Sequence, residues 1–330
     1  MERVTLIGYH CSHENVPPDE LLLAAQAAER VGFDAAMCSD HFAPWGMRQG
    51  ESGFAWSWLG AALATTRYTF GVVTAPGQRY HPAIVGQAIA TLGLMFPGRF
   101  WAALGSGEAI NEHITGDPWP PKDEREKRLL ESVDIIRDLL DGEEVTSDGH
   151  VRTHRAQVWS RPDVPPRLVG AAVTPETAAS AAAWADGLIT VVGAREQMQR
   201  VIGAYRDAGG QGPCVVQIHL AWAPTDDEAV AIALEQWRHG PAVQPPETWD
   251  IADPTEFDRR AADVDETAIR DALLVDHQPP RLADRIAGIV EAGFDGAYLH
   301  HVGRDQAPFL TMAGTDLLPA LRERLPEVAS

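Results

Sequence analysis

Short apolar runs alternate with longer stretches of helical periodicity along almost the whole chain. Residues 4–9 read as a strand, and 18–30 follow as an amphipathic helix carrying Leu21, Leu22, Ala25 and Ala28. Gly32, just past it, is placed to close that helix as a left-handed residue. Residues 33–38 form the next strand, followed by a helix over 56–66, a strand over 70–74, a helix over 82–95 and a strand over 100–104. Beyond a charged helix at 122–140, strand-like runs recur at 167–171, 187–192, 215–221 and 296–301, and a last helix fills 308–324. The pattern predicts eight strands separated by helices, the count of an α/β (βα)8 TIM barrel. A weak internal repeat supports the unit, since Val31-Gly32-Phe33-Asp34 recurs as Ala292-Gly293-Phe294-Asp295. An open doubly wound sheet gives the same alternation, so the pattern ranks the barrel first without closing it.

Two segments break the rhythm. Residues 142–166 are polar and end in two prolines, which predicts an insertion with short strands; residues 240–265 carry Pro241, Pro245, Pro246 and Pro254 and predict a long excursion. Excursions of this length in a single domain (here 1–330) are usually lids or binding loops. Charge narrows the function classes. With 27 basic and 47 acidic residues the net charge is −20, a field that repels nucleic acid. No run approaches the ~18–20 apolar residues that span a bilayer. The first seven residues read as a short strand without the apolar segment of a signal peptide. Cys11, Cys38 and Cys214 show no CxxC spacing, and a reducing cytoplasm is the expected location.

In a (βα)8 barrel the chemistry sits at the C-terminal strand ends. There the sequence offers His10 and His13, Asp40-His41 with Trp45, residues 105–112, and His300-His301. His41 is a proton-transfer candidate at neutral pH; the alternative is a turn-capping Asp40 beside a satisfied rim histidine. The run from Gly105 to Glu112 only superficially resembles a dinucleotide fingerprint, because Ile110 holds the third glycine position. Its glycines let backbone approach a flat ring, with Glu108 and Asn111 offering polar contacts; the alternative is a plain strand-to-helix turn capped by Ser106. His10, His13, His41 and His301 also allow a metal-dependent barrel hydrolase, although their spacing matches no metal template. By strand alternation one of His300 and His301 must face the helix layer.

Ser39-Asp40-His41-Phe42, Trp45, Arg79-Tyr80-His81-Pro82 and the 105–112 run together resemble the luciferase-like monooxygenase superfamily. Within it they resemble the branch containing the deazaflavin (coenzyme F420)-dependent glucose-6-phosphate dehydrogenases. The finer match, over nearly the whole chain, is to FMN-dependent luciferase-like class oxidoreductases, carried by residues 53–59, 76–82, 111–116, 170–177 and 222–225. The resemblance implies a (βα)8 barrel, usually a homodimer, holding FMN (alternatively F420) at the strand ends. It implies hydride transfer between the ring and a small organic substrate, or monooxygenation, with a flavin reductase or other reduced-cofactor donor as partner. His41 then matches the base, Trp45 the cover over the reacting centre, and Glu108 the carboxylate at the ring, with Asp40, Gly107 and Asn111 also at the cofactor. Val72 and Val73 match a bulged, often cis-peptide strand backing the ring. Gly170, Ala171 and Ala172, with Val191, Val192 and Gly193, match the backbone that takes the cofactor phosphate. The three sugar-phosphate cations of the dehydrogenases fall on Ala194 (Arg195 adjacent), near Arg260, and on Ala272, which argues against glucose 6-phosphate as substrate. A non-catalytic flavin-binding barrel is the remaining rival.

Overall fold

In the computed structural model, which describes residues 3–325 and 327–328, eight parallel strands pair in strict chain order and close on themselves. They are β1 (Leu6–Cys11), β2 (Ala35–Ser39), β3 (Phe70–Thr74), β4 (Phe100–Leu104), β5 (Arg167–Ala171), β6 (Leu188–Val191), β7 (Cys214–Ala221) and β8 (Gly296–His301). Ala297 of β8 pairs with Ile7 of β1, and Val215 of β7 with Ile189 of β6, so no edge is left between these strands. This is the (βα)8 barrel; the open-sheet alternative falls because every one of the eight strands has a neighbour on both sides. A short strand, Leu274–Val275, adds to the upper end of β7.

Inside, strand alternation turns Ala35, Met37, Ala103, Val169, Ile189 and Tyr298 toward one another. Large and small residues interleave: the Trp101 ring occupies the space where a Cβ on Gly71 would stand, and Tyr298 does the same over Gly8. The opposite strand faces, including Tyr9, Phe70 and Leu104, pack against helices Pro18–Val31, Ala55–Thr65 and Pro82–Met95. Gly32 closes the first of these helices with φ 105°, its amide reaching the carbonyls of Ala28 and Glu29.

The predicted insertion at 142–166 contains the antiparallel pair Val145–Asp148 and Arg152–Ala156. The excursion at 240–265 lies over the barrel mouth as short helical pieces, His239–Ala242, Glu247–Asp250 and Pro254–Arg260. Phe257, Val243 and Ile251 anchor it on Ile110 and Trp45. The last helix differs from its prediction. It runs as Ala307–Met312, a π-helical turn Ala313–Leu317, and Leu318–Arg324. Pro319 lacks an N–H and crowds the preceding turn, and the wider turn accommodates it. No helix among the described residues is long and apolar enough to cross a membrane. Met1 and Glu2, at the head of the N-terminal strand reading, lie outside the described residues.

Candidate active site

The C-terminal strand ends surround a cavity of about 640 Å³. His41 follows β2 and stands on its wall. Its Nε2 lies 3.6 Å from the Glu14 carboxylate and 3.8 Å from that of Glu108. Glu14, in the turn after β1, is buried and accepts 2.5 Å hydrogen bonds from Ser12 and Ser39. Burial alone would raise its carboxyl; nearby His41 and the two serines outweigh that and hold it at about 2. Glu108 is half-buried, and desolvation pushes its carboxyl up. The histidine thus faces one firmly ionised carboxylate and one that holds its proton more readily.

The floor beneath is a second network. Asp40 accepts hydrogen bonds from Thr74 Oγ1 at 2.8 Å and the Tyr80 hydroxyl at 3.1 Å, with Arg79 Nη2 at 3.4 Å. Arg79 also donates its backbone N–H to Glu112 at 2.6 Å and a guanidinium N–H to the Asp40 carbonyl at 2.8 Å. Desolvation raises the Glu112 carboxyl to about 7. Asn111 accepts from the Phe42 N–H at 2.9 Å, which pins the loop carrying His41. Trp45 lies against His41 at 5.0 Å between ring centroids, stacks on His239 at 5.5 Å and meets the edge of Phe257 at 5.4 Å. The excursion therefore fixes the tryptophan from above.

The sequence-derived residues mostly converge. Asp40, His41, Trp45, Val73, Gly107, Glu108, Asn111, Ala171, Ala172, Val191, Val192 and Gly193 all line the cavity. Val72 and Gly170 do not. Strand alternation turns Val72 into the outer core, and a Cβ on Gly170 would meet Ala181 of helix Pro175–Ala181 at 2.6 Å. The bulged or cis strand implied at Val72-Val73 is also absent among the described residues: β3 keeps regular register with β2 and β4 through both valines. The cis peptide lies at Pro245-Pro246. Ser106 does not cap the short helix Ala109–Glu112, whose N-cap residue is Glu108 and which has no side-chain cap. The metal quartet is dispersed: His13 packs edge-on to Trp58, and His301 stacks on Phe309 in the helix layer. Among the described residues no group of three or more His, Cys, Asp and Glu side chains is arranged to hold a metal ion.

Several cavity residues escaped the sequence reading, above all Glu14, Gln217, His219, Trp237 and His239. Glu14 lies one residue beyond His13 and was readable as a strand-end carboxylate; β7, with His219, was read as a strand but its inward residues were not singled out.

A flat cofactor fits this cavity. Gly193 lines it, and a Cβ there would project into open space with nothing within 4 Å. The Ala172 and Val192 amides are bonded to Ile189 and Gln217, so a phosphate would meet Gly193, Ala194 and the start of helix Arg195–Asp207 instead.

Comparison with known proteins agrees with this architecture. The profile of a family described as luciferase-like monooxygenase matches residues 4–296. The F420-dependent glucose-6-phosphate dehydrogenase of Beutenbergia cavernae is 34% identical over 335 residues, covering 98% of this chain and 99% of that protein. The enzyme of the same name from Microbacterium testaceum is 34% identical over 331 residues, covering 96% and 97%. Among solved structures, an F420-dependent secondary alcohol dehydrogenase in complex with an F420-acetone adduct superimposes with a TM-score of 0.88 at 30% identity, covering 96% of this chain and 99% of that one.

Proposed function

The chain belongs to the luciferase-like monooxygenase family and is an oxidoreductase, and from that premise we propose that it is an F420-dependent dehydrogenase of an uncharged alcohol. The observation that carries this reading is His41 set between Glu14 and Glu108 on the cavity wall, in a chain similar over its whole length to F420-dependent dehydrogenases. FMN, the cofactor the sequence put first, has support only from more distant relatives. Structures of monooxygenases such as the EDTA monooxygenase, at 15% identity, show the fold alone.

The bound deazaflavin would supply a two-electron hydride acceptor; the residues supply everything else. Val73, Ala171 and Val191 would give the ring an apolar bed, and the backbone at Gly193 would hold its phosphate. His41 Nε2 takes the hydroxyl proton as the alcohol carbon loses its hydride, leaving a carbonyl product. Glu14 stabilises the imidazolium so formed, and Glu108, its carboxyl raised by burial, stands 3.8 Å from the same nitrogen. Trp45 excludes water. Because the hydride comes from the substrate, no flavin reductase is required. An uncharged alcohol is favoured because Ala194 and Ala272 line the cavity where the sugar-phosphate enzymes are matched by cations, and the cations that do line it, Arg79, Lys122 and Arg125, are paired with Asp40, Glu126 and Asp250. Arg195 is turned to the Gly288 carbonyl, and Arg260 is held by Glu247 and Glu256.

The test is to titrate the purified protein with F420 and with FMN, then add alcohols and follow loss of the bound cofactor's visible absorbance. Saturable F420 binding and alcohol-dependent reduction are expected, with His41→Ala lowering turnover about 10²–10⁴-fold while still binding F420. Selective FMN binding would overturn the reading.

A further inference from the structure

The wall of the cavity farthest along the chain from His41 is built from strands β7 and β8. Gln217 and His219 alternate inward from β7, and His219 pairs in register with His300 of β8. We propose that Gln217, His219 and His300 form a second polar subsite that binds a further hydroxyl group of an uncharged polyol, beyond the hydroxyl that His41 deprotonates. This rests on the alcohol-dehydrogenase reading above.

The argument starts with one short contact. His219 Nδ1 and His300 Nδ1 are 2.9 Å apart, so one ring donates and the other accepts. If His219 donates there, its Nε2 toward the cavity is a bare acceptor and His300 carries its proton on Nε2. If His300 donates, His219 Nε2 carries the proton and offers a donor. The pair can therefore present either polarity at the cavity without gaining or losing charge. A hydroxyl, which both donates and accepts, matches such a group; a phosphate or carboxylate accepts only, and an ammonium donates only. Burial favours the neutral rings, with His219 lowered to about 3 and His300 lowered as well.

Two further observations point to a ligand. The Gln217 amide nitrogen lies 3.4 Å from His10 Nε2, and its carbonyl oxygen has no partner among the described residues. Buried His10 Nδ1 and His300 Nε2 have none either, although both residues line the cavity. Unsatisfied buried polar atoms cost about 1–3 kcal/mol each in general, a cost that hydroxyl binding or its ordered water relieves. The subsite is also joined to the proton acceptor. Trp237 contacts His219 at 4.3 Å and His239 at 4.6 Å, and His239 stacks on Trp45 beside His41.

The experiment compares matched alcohols, myo-inositol against cyclohexanol and glycerol against 2-propanol, as reductants of F420 on the wild type, His219→Leu and His219→Gln. In at least one pair the polyol should be preferred by about tenfold or more in kcat/KM. His219→Leu should reduce that preference about tenfold, and His219→Gln, which keeps a donor and an acceptor, should restore most of it. The same polyols are titrated into cofactor-free protein while tryptophan fluorescence is read, and saturable quenching weakened in His219→Leu is expected. Quenching without any F420 binding would leave the subsite standing and remove the dehydrogenase reading. F420 reduction with no polyol preferred, or neither turnover nor quenching by any polyol, overturns the subsite.

Discussion

Glu14→Gln tests the electrostatic core of the site with almost no change in shape. A carboxylate 3.6 Å from His41 Nε2 stabilises the positive charge that develops on the imidazole as it takes the substrate proton. The glutamine carbonyl keeps part of that through its dipole, and Glu108 at 3.8 Å, its carboxyl raised by burial, supplies little charge in its place. Charge-assisted contacts contribute roughly 1.5–3 kcal/mol, so turnover should fall about 10- to 150-fold. The assay is F420 reduction at saturating alcohol, with thermal melting and F420 affinity as controls. Glu14→Asp keeps the charge and should recover part of the loss. A folded Glu14→Gln protein that turns over within about threefold of the wild type would refute the stabilising role.

Other consequences are equally direct. Glu112, raised to about 7 by burial, favours its protonated form in the folded state; the stability it contributes is full below its unfolded value near 4.5 and is lost as pH rises through 7. Urea unfolding should therefore weaken by up to about 3 kcal/mol between pH 5 and 8, and Glu112→Gln should flatten that slope. If the variant keeps the wild-type slope, Glu112 is not the titrating group. Phe257→Ala removes a fully buried ring that anchors the excursion and braces Trp45. A loss of about 3–5 kcal/mol in unfolding free energy is expected, together with a raised KM; an unchanged KM would separate the excursion from substrate binding.

The barrel was legible because its signals are local. Strands β3, β4, β5 and β8 fall on their predicted residues, since each is a short apolar run bounded by turn residues. The last helix was less legible: a proline near its end reads as a stop or a kink, and the widened turn depends on packing against neighbours. At the site, His41, Trp45 and Glu108 were visible because strand ends name themselves once the barrel is assumed. Glu14 and His219 carry strand-end signals too, but their significance lies in what they face across the mouth. Val72 and Gly170 show the complementary error, in which the segment is right and the side of the strand is wrong. A period of two makes that slip total for the side chain.

Strict chain-order pairing of the strands divides the mouth into two arcs. The proposed cofactor bed and phosphate cradle come from one continuous stretch, β3 through the start of helix Arg195–Asp207. The proton acceptor and the histidine subsite come from the flanking stretches, β1 and β2 before it and β7 and β8 after it. Only two seams, β2 with β3 and β6 with β7, join the arcs around the barrel. Exchanging the flanks with a relative, cut at those seams, would move the proton acceptor and the histidine subsite together while leaving the proposed cofactor bed in place.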